Sequence, residues 1–264
     1  MRTQKMLAAL AISFAAGQAA ATCATIRVGY IDQHRPPYYL GAGAVVPPKA
    51  GASIELMREI AASAGCEAVF VRLPLLRMRA ALESGAIDAM PMDASDEDAL
   101  RFALPKDKTG RPDRSKAARY HTIVFVRTSD KLPDDTDPAI YFKTHMLGIN
   151  HGASMVPQLQ AQGYKIDEGA LDAARNLEKL VRKRVDGYGA SVIGVGDLDH
   201  LAATGFGDQV VRLPKPLRVT SIWLAFSKDY YDKNAGQSET MWNWIGARGQ
   251  VRLAELIKKY ENEP

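Results

Sequence analysis

The chain has 264 residues, of which 47% are hydrophobic and 24% charged, with a formal net charge of +4. That profile fits a globular protein large enough for one big domain or two modest lobes, and it excludes disorder, collagen and coiled coil. Without Arg2 and Lys5 of an N-terminal leader the charge is about +2, and the short basic runs at 182–184 and 258–259 read as solvated helix faces, so no nucleic-acid partner is expected.

The stretch 6–21 is apolar and alanine-rich, follows Arg2 and Lys5, and ends in Ala19-Ala20-Ala21. These features mark 1–21 as a cleaved secretory signal peptide, because the run of about 16 residues is shorter than the roughly 20 a membrane span needs. An exported chain with two cysteines can pair them. Cys23 and Cys66 each stand just ahead of an apolar run, and if those runs are parallel neighbouring strands the two thiols start level. The expected Cys23–Cys66 disulfide would close a loop of about 43 residues and contribute on the order of 4 kcal/mol; the alternative is two separate thiols.

In chain order, 26–30 predicts a strand. The segment 53–65 predicts a helix with Ser53 as N-cap, Gly65 as C-cap, and Ile54, Met57, Ile60 and Ala61 on one face. A strand at 69–73, a helix at 75–84 and a strand at 87–92 complete a βαβαβ run, which implies a parallel sheet with right-handed crossovers. The charged stretch 93–119 reads as a long loop. A second unit follows: strand 122–127, a Pro/Asp-rich loop at 132–138, strand 146–150, helices 152–162 and 173–183, and strands 190–195 and 219–226. A helix from about 234 to 247, interrupted at 246–249, and a last helix to 259 close the chain. Two sheet-based units joined by few strands imply a bilobal protein with a cleft.

The order of several short motifs resembles the type II periplasmic solute-binding proteins, in the branch that binds amino acids and other small polar solutes. The first lobe carries Ile26-Arg27-Val28-Gly29-Tyr30 leading to Pro36-Pro37-Tyr38-Tyr39, then Gly51-Ala52-Ser53-Ile54-Glu55-Leu56. Arg77, Leu82-Glu83-Ser84-Gly85-Ala86-Ile87-Asp88-Ala89 and Met92-Asp93-Ala94-Ser95 follow. His151-Gly152-Ala153-Ser154, Arg184-Val185-Asp186-Gly187, Trp223-Leu224-Ala225-Phe226-Ser227 and Lys259-Tyr260 extend the likeness over nearly the whole mature chain. The resemblance implies an α/β fold of two lobes with mostly parallel sheets flanked by helices. Lobe 1 would be discontinuous, 22–115 plus 222–264, and lobe 2 would be 116–221. It also supports the disulfide, since the family's first two strands are neighbours in one parallel sheet.

Ligands of open α/β sheets sit beyond the carboxyl ends of strands. That places Tyr30, Asp32, Tyr38, Tyr39, Arg77, Met92, Asp93 and Ser95 on the lobe 1 side of the cleft. Tyrosines there offer a flat apolar face with a hydroxyl donor. In lobe 2, His151, Gly152, Ala153 and Ser154 form a small-residue turn opening a helix, suited to a carboxylate, and Asp197 could face an ammonium group. The family's amino-acid binders place an arginine just after the third-strand turn as a clamp on the ligand carboxylate. Here Asp98 or a neighbouring acid stands at that point, with Arg77 or Arg101 as the available substitutes.

The function implied is capture of a small polar solute, an amino acid or similar organic acid, by hinge closure near 121–124 and 219–222, for ABC-type uptake. The protein would be a periplasmic monomer working with an inner-membrane permease or sensor. No cofactor or metal is implied: Gly-x-Ser-x-Gly, His-Glu-x-x-His and Gly-x-Gly-x-x-Gly are missing, and the five histidines are scattered. The chain is therefore expected not to be an enzyme; the alternatives are a dehydratase acting on cyclic acids with the same fold, or a sensor or accessory protein that presents its ligand.

Overall fold

The computed structural model describes residues 25–153 and 155–262. β1 (Ile26–Ile31), β2 (Ala68–Leu73) and β3 (Ala89–Met92) are parallel, with β1 in the middle and Ile26 level with Ala68. The crossovers are α1 (Ala52–Ser63) and α2 (Leu75–Glu83). Burial of Ile54, Met57 and Ile60 fixes the inner face of α1, each such side chain being worth about 1.5–3 kcal/mol. The predicted Ser53 cap is corrected: the helix starts at Ala52, Gly51 holds the cap position at φ 106°, and Ser53 is buried inside the first turn.

The predicted loop 93–119 is more ordered than its charge suggested. α3 (Asp96–Arg101) forms there because Ser95 and Asp98 make a reciprocal capping box, and β4 (Ala118–Arg127) begins four residues earlier than expected. Next come α4 (Pro138–Tyr141), β5 (Met146–Asn150), α5 (Val156–Ala161), β6 (Lys165–Ala170) and α6 (Ala173–Val181). β7 (Gly187–Val192), α7 (Asp199–Phe206), β8 (Val210–Arg212) and β9 (Arg218–Phe226) follow. The chain then ends in α8 (Lys228–Lys233), α9 (Ala235–Trp244) and α10 (Gln250–Asn262). The predicted interruption is a π-helical turn, Ile245–Gly249, that carries α9 into α10. Gly246 is needed in it because a Cβ would lie 2.8 Å from the Ser115 carbonyl oxygen.

The strands run in the order β2-β1-β3-β9-β4-β7-β5-β6, with β8 beside β4. Two of them do double duty. The first half of β4 pairs antiparallel with the first half of β9, Ala118 opposite Ile222 through Thr122 opposite Arg218. Beyond that ribbon β9 joins β3, whereas β4 joins β7 and β8. A two-stranded ribbon thus links two half-sheets, each with its own cores. Ile60, Phe226, Trp242, Leu253 and Leu256 fill one face of the first half-sheet, and Met78, Leu82, Ile87 and Phe102 the other. In the second, Val124, Phe142, Leu147 and Ile149 pack on one side and Ile123, Phe125, Leu177 and Tyr188 on the other.

Candidate functional site

The carboxyl ends of β1 and β3 face those of β5 and β7, and among the described residues several contacts reach across between the half-sheets. The loop after β1 makes two of them. Arg35 and Tyr39 pair through their backbones, N–H to O distances of 2.7 and 2.9 Å, and so close a tight hairpin around Pro36-Pro37. The hairpin buries Tyr38, whose hydroxyl donates to Asp197 Oδ2 at 2.8 Å and accepts from the Ile193 N–H at 3.0 Å. Gln33 of the same loop lies against Gly152 of the opposite half: a Cβ at Gly152 would sit 2.5 Å from the Gln33 amide nitrogen. Another crossing is Arg218, which donates to Asp93 Oδ2 at 2.9 Å on one side and to Gln158 Oε1 at 2.7 Å on the other.

Two of the groups predicted to receive a ligand's carboxylate, Gly152 and Arg101, meet carboxylates of the chain itself, and an internal ion pair fills the clamp position. Asp98 is buried; it accepts from both the N–H and the hydroxyl of Ser95 and pairs with Arg79, which reaches over from α2. The clamp position is thereby neutralised from within. The Gly152 N–H donates to Glu168 Oε1 at 3.2 Å. The predicted helix opening at 152 is corrected, since α5 begins at Val156 with Met155 at its cap and is a helix of six residues. Asp197 also collects the Ile193 and Gly194 N–H groups at 3.2 and 2.9 Å, so it folds its own loop while bridging to Tyr38.

The remaining predicted residues divide clearly. Tyr30 is buried, stacked on Tyr39 and edge-on to Phe70, with the Arg72 guanidinium 5.4 Å from its ring centre and its hydroxyl without a partner among the described residues. Met92 and Ala153 belong to the cores. Arg77 and His151 are exposed, and Arg101 is held by Glu83 on the surface. Ser154 lies outside the described residues. Asp32 is half-buried at the end of β1, its backbone N–H bonded to the Leu73 carbonyl.

Sequence reasoning passed over Arg35, Tyr120, Tyr188 and Arg218. Burial pushes the hydroxyls of Tyr39, Tyr120 and Tyr188 above the ordinary tyrosine range, and in all three Arg35 pulls the other way. Arg35 is thus within electrostatic reach of the loop, the ribbon and the second half-sheet at once. Its place three residues after Asp32, in the same strand-end loop, was the available signal. Tyr188 donates to Asn150 Oδ1 at 3.1 Å. Burial also raises Asp93, against the attraction of Arg218. A cavity of about 760 Å³ opens along the ribbon, lined by Asp93, Arg119, His121, Arg218, Ser221 and Gln250 among others.

No family model matches the sequence, and no curated protein matches it either. Solved structures do match in shape. The GluR0 ligand-binding core from Nostoc punctiforme, in complex with L-glutamate, superposes with a TM-score of 0.59 at 15% identity, over 90% of this chain and 100% of that one. A histidine kinase sensor domain with similarity to periplasmic binding proteins gives 0.61 at 18% identity, over 90% and 96%. A substrate-binding protein of an ABC uptake transporter from Streptococcus pneumoniae, with bound histidine, gives 0.56 at 16% identity, over 90% and 93%. The two half-sheets, their crossing ribbon and these superpositions together identify the fold: the chain has the two-lobed architecture of the type II periplasmic binding proteins.

Proposed function

We propose that the protein is an extracytoplasmic solute-binding protein that captures a small polar solute between its lobes and holds it by hinge closure. The lobes would be 22–115 with 222–264, and 116–221, turning on the ribbon where β4 pairs with β9. The observation that carries this reading is the strand-end loop 32–39, which reaches across to the second lobe through Gln33 and Tyr38 while leaving Asp32 and Arg35 without a side-chain partner among the described residues. Unpaired opposite charges beside a closable gap are what a polar ligand would satisfy.

Exported location is supported by the leader-like 1–21, which lies outside the described residues, and by the fold. No helix among the described residues is long and apolar enough to cross a membrane. The Cys23–Cys66 disulfide is part of the proposal. Cys66 is buried and not a free thiol, and the Ile26 N–H donates to the Glu67 carbonyl at 2.8 Å, which brings the start of β1 beside Cys66. Thiol titration of the denatured mature chain should find no free cysteine before reduction and two after it. The closed lobes would present a joint face to a permease or a sensor.

A thermal-shift screen of the mature chain against amino acids, organic acids, polyamines and sugars tests the function, because a ligand bound only by the folded state raises the midpoint by mass action. Selective stabilisation with the compound recovered unchanged is the expected result. Consumption of the stabilising compound with appearance of a product would replace binding with catalysis.

A further inference from the structure

If a solute brings a negative group into the cleft, a cation beside the gap can receive it, and the arginines near the strand ends and the ribbon can be taken in turn. Arg114 and Arg119, which line the cavity along the ribbon, are exposed. Arg79 is committed to Asp98 and Arg218 to Asp93. Arg101 is committed to Glu83, and Arg72 to the carbonyls of Val45 and Gly41 and to the Tyr30 ring. Arg77 is exposed on α2. Arg35 differs from all of these. It is half-buried, its backbone is pinned by the two hydrogen bonds to Tyr39, and among the described residues no carboxylate stands within 4.0 Å of its guanidinium. Its loop touches the second lobe on both sides of it, through Gln33 at Gly152 and Tyr38 at Asp197.

A guanidinium drawn partly out of water without an acid is costly, and an oxyanion that meets it removes the cost. From the unpaired guanidinium and its pinned hairpin, which touches the second lobe on either side, we infer that Arg35 receives a carboxylate carried by the ligand. This rests on the solute-binding reading. The clamp has therefore moved from the turn after β3, where Asp98 and Arg79 cancel each other, to the loop after β1.

The test is calorimetric titration of the mature full-length chain with L-glutamate, succinate and benzoate, beside putrescine and glucose, in wild type, Arg35→Gln and Arg35→Lys. At least one carboxylate should bind wild type. Arg35→Gln should weaken it by about 10- to 100-fold, the usual effect of losing a hydrogen bond to a charged group, and Arg35→Lys by less. The primary amide of the same carboxylate should bind wild type as weakly as the acid binds Arg35→Gln, and should lose nothing further in that variant. Because no internal partner is removed, the midpoint of the ligand-free Arg35→Gln protein should match wild type. Carboxylate binding unchanged within about threefold in Arg35→Gln, or binding confined to putrescine or glucose, would overturn the assignment and leave the solute-binding reading standing. Binding of nothing from any class would overturn both.

Discussion

The two side-chain bridges that tie the lobes together are built on different physics. At one end a neutral tyrosine hydroxyl meets a carboxylate that also collects two backbone N–H groups, so Tyr38, Ile193, Gly194 and Asp197 form one closed set of donors around a single oxygen. At the other a guanidinium meets a carboxylate, Arg218 to Asp93, and burial of that carboxylate works against the pair strongly enough to leave the Asp93 pKa raised. The bridge with fewer charges is the stronger of the two. The hydroxyl costs little to bury and its acceptor is saturated, while the ion pair spends most of its attraction on desolvation.

Breaking the first bridge should therefore cost most. Asp197→Ala removes the acceptor for three donors at once and should lower the unfolding free energy by about 3 kcal/mol, read by urea denaturation. Gly152→Ala comes next. Gly152 sits at φ +68°, where a side chain is strained, and its new methyl would meet Gln33. A loss of about 1–2 kcal/mol is expected from the strained backbone, read by urea denaturation, with little change in the radius of gyration by X-ray scattering, because the Gln33 amide stands at the end of a flexible side chain and can turn aside. Tyr38→Phe should cost about 1 kcal/mol, since Asp197 keeps its two backbone donors. If Tyr38→Phe proved as damaging as Asp197→Ala, the bridge would depend on the hydroxyl alone rather than on the saturated carboxylate.

How much of this was legible in the sequence follows from where each residue's partner lies. Strands β1, β2, β5 and β9 and helix α6 were readable because their apolar periodicity is local. β6 reads Lys-Ile-Asp-Glu-Gly-Ala, a polar strand at the sheet's edge, and β8 has three residues; neither carries a pattern strong enough to separate it from a loop. α3 was hidden because its first turn is the acidic run Asp96-Glu97-Asp98, which looks solvated until Asp98 is seen turning back on Ser95. The cleft was legible as a set of strand-end loops, but the roles within it were not. Asp98 is answered by Arg79 nineteen residues earlier and on another helix, and Gly152 by Glu168 on β6, so spacing could show that the expected arginine was missing without showing what had filled its place.

The smallest expected effect sharpens the contrast through its sign. An acid whose folded-state pKa stands above its unfolded value binds its proton more tightly when folded. Its stabilising contribution is complete below the unfolded pKa, near 3.8 for Asp93, and is lost as the pH rises through the folded value. Asp93→Asn should thus change stability at neutral pH by no more than about 0.5 kcal/mol, with Arg218 still held by Gln158 and Thr220. The difference in unfolding free energy, wild type minus Asp93→Asn, should move in favour of wild type as the pH is lowered from 6.5 towards 3.5. Added salt should weaken what attraction there is, because both side chains keep some contact with solvent. A difference that instead moved in favour of wild type as the pH was raised would mean that Arg218 outweighs burial, and the two bridges would then be alike in kind, each held by a satisfied carboxylate.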